Sequence, residues 1–127
     1  MPEFGYSSET RLQQAHEDLQ KIFRYVIKYV DCSVIWAFRG EAEQNQAFKD
    51  GTSKLKWPKS KHNVRPSLAV DVVPYPIDWT DLRRFDMFGR FVIAVADMML
   101  KNGEINNKIE WGGDWATFKD RPHFQIK

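Results

Sequence analysis

The amino-acid sequence predicts an α+β domain in which helices pack on a small, mainly antiparallel sheet. Three features predict it. Two long stretches, near residues 7–30 and 81–101, carry apolar side chains at three- and four-residue intervals, the period of a helix with one buried face. Short runs at 33–38, 68–73, 108–111 and 123–126 are rich in β-branched and aromatic residues and are bounded by turn formers. The resulting order is helix, strand, helix, strand, helix, strand, strand, without the strict alternation of a parallel doubly wound sheet. Residues 1–127 hold no internal repeat, low-complexity tract or linker, so a single domain is expected.

Each element has a local reason. Ser7 or Ser8 is expected to cap the first helix, whose buried stripe is Leu12, Ala15, Leu19, Ile22, Phe23, Val26 and Ile27. His16 falls inside that stretch beside Glu17 and Asp18 and is expected to face solvent. Gly40 breaks the first strand, and 41–50 reads as a short helix stopped by Gly51. Residues 52–66 are polar and basic, contain Pro58 and Pro66 and lack a helical period; a loop this long in a small domain is often functional. Pro74 and Pro76 close the second strand. Asp78 or Thr80 is expected to cap the second long helix, which buries Leu82, Phe85, Phe88, Val92, Val95, Ala96 and Met99 and ends at Asn102-Gly103.

Composition narrows the function classes. With 43% hydrophobic and 28% charged residues the chain is globular rather than disordered. Nineteen Lys and Arg against 17 Asp and Glu leave a net charge of only +2, too little for the strong field of a dedicated nucleic-acid binder. Cys32 is the single cysteine, so neither an internal disulfide nor a cysteine zinc cluster can form, and its apolar surroundings predict a buried, inert thiol. No apolar run approaches the ~20 residues of a membrane-spanning helix. Residues 1–6 lack the basic and apolar segments of a secretion signal, so synthesis in the cytoplasm is expected.

The chemistry gathers at three positions. His62 lies in the polar loop as Ser60-Lys61-His62. Asp71 interrupts the apolar strand Leu68-Ala69-Val70-Asp71-Val72-Val73, where a carboxylate is costly to desolvate unless paired, hydrogen-bonded or metal-bound. His123 opens the last strand in Asp120-Arg121-Pro122-His123. Two imidazoles and one carboxylate suit Zn²⁺ and leave a fourth position open. Taken singly, each residue has a structural explanation as well: a solvated loop histidine, an Asp71 paired with Arg39 or Arg65, a His123 bonded to a strand edge.

The surrounding segments resemble the zinc-dependent peptidases of phage endolysins, the L-alanyl-D-glutamate endopeptidases related to bacterial D,D-carboxypeptidases and D,D-dipeptidases. Their first motif, Ser-x-His followed by Gly-x-Ala-x-Asp, is similar to Ser60-Lys61-His62 and Ser67-Leu68-Ala69-Val70-Asp71. Their second, an acidic residue three before a His, is matched by Asp120 and His123; Trp111-Gly112-Gly113-Asp114-Trp115 also looks like the endolysin branch, as does Arg39 with Gln44. Two departures stand out. The gap from His62 to Asp71 is longer than the common pattern, which the resemblance places in an outward loop among 63–66, and Ser67 occupies the usual Gly position.

The resemblance implies the hedgehog/D,D-peptidase fold and a sheet that carries Zn²⁺ on His62, Asp71 and His123. Asp120 is then the general base, with Asp114 its rival. Arg39 is the candidate for stabilising the oxyanion. Ser60, Trp111 and Trp115 are candidates for holding substrate, against cap and core roles respectively. The expected function is hydrolysis of a peptidoglycan stem peptide at L-Ala–D-Glu, by a monomeric enzyme made in the host cytoplasm that acts on the cell wall after release. The alternatives are a D,D-carboxypeptidase or dipeptidase of wall precursors and a non-catalytic zinc-binding domain.

Overall fold

The computed structural model describes residues 2–127 and resolves the first apolar stripe into two helices, α1 (Tyr6–Leu12) and α2 (Glu17–Val26). A pairing from far along the chain breaks the expected single helix. The Ser67 carbonyl accepts from His16 N–H at 2.8 Å, and Ser67 N–H donates to the Gln14 carbonyl at 2.9 Å. These bonds pull residues 14–16 out of helical geometry. His16 does not simply face solvent: it is half-buried and caps α2, Nδ1 accepting from Asp18 N–H at 3.0 Å. Gly5 rather than a serine caps α1, and Ser8 is buried with its Oγ accepting from Val34 N–H at 3.0 Å.

The remaining elements are β1 (Cys32–Trp36), α3 (Glu41–Lys49), β2 (Ala69–Pro74), α4 (Leu82–Lys101), β3 (Ile109–Trp111) and β4 (His123–Ile126). Asp81 caps α4 through a 3.1 Å bond to Arg84 N–H, while Asp78 and Thr80, the two expected caps, bond each other, Asp78 Oδ1 accepting from the Thr80 hydroxyl and N–H. Leu82, expected in the buried stripe, is exposed in the first turn, before the helix reaches the sheet. Gly103, at φ +76°, closes the C-terminal end of α4 in the left-handed conformation that glycine adopts without steric cost. Among the described residues, no helix is long and apolar enough to cross a membrane.

The strands form one sheet in the order β1-β2-β4-β3, every neighbour antiparallel. This is the α+β architecture expected. Leu19, Ile22, Phe23 and Val26 of α2 and Phe88, Val92, Val95 and Ala96 of α4 meet Val70, Val72, Phe124 and Ile126 of the sheet in one core. Each of the larger side chains, Ala96 excepted, contributes roughly 1.5–3 kcal/mol through burial. Because strand side chains alternate, Asp71 and His123, which fall between these core positions, emerge on the opposite face. Between Val34 and Trp36 the register of β1 shifts by a bulge, which sets Trp36 across from Asp71. Cys32 is buried, and burial with the nearby Asp31 charge pushes its thiol up to about 12, so it stays protonated and unreactive.

Candidate metal centre and active-site cleft

Strand pairing sets two of the three predicted ligands: Asp71 of β2 lies directly across from His123 of β4. His62 reaches the same point from the long loop. Ser60 caps a 3-10 turn, Lys61–Asn63, its Oγ accepting from His62 N–H at 3.1 Å while Ser60 N–H donates to Asn63 Oδ1 at 3.0 Å. Arg39 N–H donates to the His62 carbonyl at 2.8 Å, tying the turn to the chain beyond β1. Residues 64–66 bulge outward and are exposed, where the long gap between motifs places the extra length.

His62 Nε2, His123 Nδ1 and Asp71 Oδ1 form a nearly equilateral triangle with sides of 3.3, 3.3 and 3.2 Å. Zinc bonds of ~2.0–2.1 Å in a tetrahedron would space their donor atoms ~3.3 Å apart. The outer nitrogens explain why the inner ones are bare. His62 Nδ1 donates to the Ala37 carbonyl at 2.7 Å, and His123 Nε2 donates to Gln125 Oε1 at 2.8 Å. With neutral rings, both inward nitrogens therefore present lone pairs to each other and to a carboxylate. Three acceptors this close repel unless a cation sits between them, so the residues fit a divalent metal.

The charges of these groups also shift one another's titration. Burial opposes ionisation of Asp71, but His62 and His123 outweigh it and hold the carboxyl well below the usual carboxylate range. Burial likewise opposes charging of His123, yet its bond to Asp71 and the Asp71 charge raise its pKa above that of a free histidine. Asp120 behaves in the opposite way: burial first, and then the Asp71 charge, push its carboxyl up to about 6. Its Oδ2 lies 3.9 Å from His123 Nδ1, facing the triangle from outside. Two carboxylates with pKa values driven apart divide naturally into an anionic ligand and a proton carrier.

These groups lie in a cleft of about 530 Å³, with Ser60, Trp115 and Arg39 on its walls. Arg39 is buried and committed to Asp71 Oδ2 at 3.3 Å and Gln44 Oε1 at 3.1 Å. Trp115 sits with its ring centroid 5.3 Å from that of His123 and donates its indole N–H to Glu110 at 2.6 Å. Trp111, considered for substrate contact, is not in the cleft. It is 2% exposed, stacks on Phe124 in the core and donates its indole N–H to the Arg121 carbonyl at 2.8 Å. A large aromatic after β-branched Ile109 fills the space over Gly89 of α4, where an added Cβ would come within 2.2 Å of its ring. Asp114 is also outside the cleft, an exposed side chain 3.9 Å from Arg90, and cannot serve as base there.

The loop that carries Asp120 is held from several sides. Asp120 N–H donates to the Gly112 carbonyl at 3.0 Å, and Arg121 pairs with Asp86 of α4 at 2.9 Å. Three supporting groups were not legible from the motifs: the Ala37 carbonyl, Ser67 and Gln125. Ser67 Oγ donates to the same Ala37 carbonyl at 2.9 Å, so the residue at the family's glycine position braces the acceptor that orients His62. The spacing of His123 and Gln125, two apart on one strand and hence on one face, was the available signal for the last.

The sequence model of the phage L-alanyl-D-glutamate peptidase family matches residues 2–125. The chain belongs to that family. It is 34% identical over 131 aligned residues to the L-alanyl-D-glutamate peptidase of Escherichia phage T5, covering 98% of this chain and 88% of that one. The crystal structure of the Serratia marcescens L-Ala D-Glu endopeptidase ChiX matches with a TM-score of 0.73 at 30% identity, over 98% of this chain and 90% of that one. Membership makes the chain a peptidase, and the matched span takes in every residue of the triangle and the cleft described above.

Proposed function

We propose that this family member is a zinc-dependent peptidase that hydrolyses the L-Ala–D-Glu bond of peptidoglycan stem peptides, as a phage-type endolysin. The observation that carries the reading is the triangle of converging ligand atoms beside the Asp120 carboxyl, set in a cleft of a chain whose relatives are named for that bond. His62, Asp71 and His123 would hold the metal. Bound there, zinc supplies a Lewis acid for the scissile carbonyl and lowers the pKa of water.

The chain's own groups supply the rest. Asp120 Oδ2 takes the proton of the attacking water and later delivers it to the leaving amine of the glutamate. A carboxyl with a pKa near 6 accepts and releases that proton near neutral pH. Arg39 bonds and orients Asp71, and its charge beside the cleft favours the oxyanion. Trp115 forms a wall against which a peptide can lie. The protein is read as a monomer made in the host cytoplasm that meets the wall after release. A D,D-carboxypeptidase activity is the competing reading within the same chemistry. A non-catalytic zinc domain is disfavoured by Asp120, which has no structural task inside the cleft.

Mass analysis of fragments released from purified peptidoglycan by the zinc-loaded protein tests this. New L-Ala carboxyl ends paired with D-Glu amino ends are expected. Release of terminal D-Ala alone would transfer the protein to the carboxypeptidases, and intact peptides would leave it without this function.

A further inference from the structure

The rim of the cleft is built from a segment with a one-sided charge. Residues 51–70 carry Lys54, Lys56, Lys59, Lys61 and Arg65 and not one acidic side chain. The acids lining the cleft, Asp71 and Asp120, both lie at its centre. A substrate carboxylate that must lie beside those acids gains from a cation placed to receive it. Four cations line the cleft, Arg39, Lys54, Lys59 and Lys61. Arg39 is engaged with Asp71 and Gln44, and Lys61 Nζ with the Ile126 carbonyl. Lys54 Nζ lies over the Phe118 ring at 4.9 Å. Among the described residues Lys59 makes neither an ion pair nor a side-chain hydrogen bond, although its backbone is fixed by a 2.9 Å bond to the Lys56 carbonyl. It directly precedes Ser60, the residue that caps the His62 turn, so its anchor is set relative to the reaction centre.

We propose that Lys59 is a specificity residue that receives the free carboxylate of the glutamate on the leaving side of the scissile bond. The inference rests on the peptidase reading above and deepens it. A glutamyl residue linked onward through one carboxyl keeps the other, whichever is used, so a substrate in which that group is not amidated brings a negative charge beside the reacting amide. An ammonium with no other partner, at the lip rather than the centre, recognises that charge without competing for the metal. A carboxamide in the same place offers no charge and gains much less from it.

The test compares two matched peptides, one with the free glutamyl carboxylate and one with a carboxamide there. Wild-type protein is expected to prefer the carboxylate in kcat/KM. Lys59→Met should lower kcat/KM on the carboxylate peptide about tenfold, mainly through KM, and change the carboxamide peptide far less; Lys59→Arg should recover most of the preference. Lys28→Met, which removes the same charge from an exposed site just beyond α2 and outside the cleft lining, should leave the preference intact. Equal losses on both peptides, or an unchanged preference in Lys59→Met with an unaltered melting temperature, would overturn the assignment. If wild-type protein cleaves neither peptide, the peptidase reading itself fails and takes this inference with it.

Discussion

His62 and His123 meet at 3.3 Å, Nε2 to Nδ1, and each ring is backed by an oxygen acceptor. The Ala37 carbonyl behind one ring and the Gln125 amide oxygen behind the other hold the outer protons, so that in the neutral rings the bare nitrogens turn inward. The two histidines are thus unlike each other, one offering Nε2 and the other Nδ1, as their different origins in a loop turn and a strand require.

Removing either ring should empty the metal site. In His62→Ala or His123→Ala, zinc content after dialysis is expected to fall to background, because two remaining donors hold the ion far more weakly than three. Full occupancy measured by metal analysis in either variant would remove that residue from the ligand set.

Asp120→Asn keeps the shape of the side chain and abolishes its basicity. Zinc content should be unchanged while kcat falls roughly 10²–10⁴-fold, the usual worth of a positioned acid-base group. Hydrolysis at the wild-type rate would mean that another group moves the proton.

Gln125→Leu removes the acceptor behind His123 without touching the metal. The ring is then free to change tautomer, and zinc affinity should drop about 10–100-fold, as it does when the hydrogen bond that orients a ligating histidine is lost. Activity should return when zinc is added in excess; a competition titration with an unchanged dissociation constant would assign Gln125 no role.

Gly112→Ala tests the placement of Asp120. An added Cβ would lie 2.3 Å from the Asp120 carbonyl oxygen, so the loop must move. Zinc retention with a loss in kcat on the order of 100-fold is expected, since displacements near 1 Å cost that much. Wild-type kinetics would show that the loop tolerates the shift.

Asp18 gives the stability its acid limit. Its Oδ2 accepts from Asn106 N–H, Asn107 N–H and the Asn107 side chain at 2.9–3.1 Å, anchoring the segment that leads into β3. Burial raises its pKa, but the Asn107 and Asn106 bonds outweigh this and hold it below the usual carboxylate value. A depressed folded pKa contributes stability that is present above the ordinary pKa near 4 and lost as pH falls through the folded value. Asp18→Ala should therefore cost about 1–3 kcal/mol at pH 7, and the gap to wild type should narrow below pH ~4 in denaturant titrations. A gap independent of pH would exclude the charge as its source.

Much of this protein was readable before it was folded. The α+β class follows from two apolar periods, and the core stripes of α2 and α4 fell where the three-and-four spacing put them, except that Leu82 in the first turn of α4 is exposed. An ionisable residue in an apolar strand marked Asp71, and the ordered motifs singled out His62, Asp120 and His123. These features are local, because side-chain alternation and desolvation cost act within a few residues of sequence.

What only the tertiary structure decided depends on partners far apart in the chain. The Ser67 pairing with residues 14–16 splits the first helix and turns His16 into a cap, against a local propensity that favours continuity. Trp111 and Trp115 are both aromatic and four apart, yet one faces α4 and the other the cleft, a choice set by the strand pairing and the turn at Gly112–Asp114. The motif ranked Asp120 ahead of Asp114, and the loop geometry then exposed Asp114 outside the cleft and placed Asp120 in its lining. The tautomers of His62 and His123 depend on a carbonyl at Ala37 and an amide at Gln125, groups with no signature until the β2–β4 register and the 60–63 turn bring the rings together.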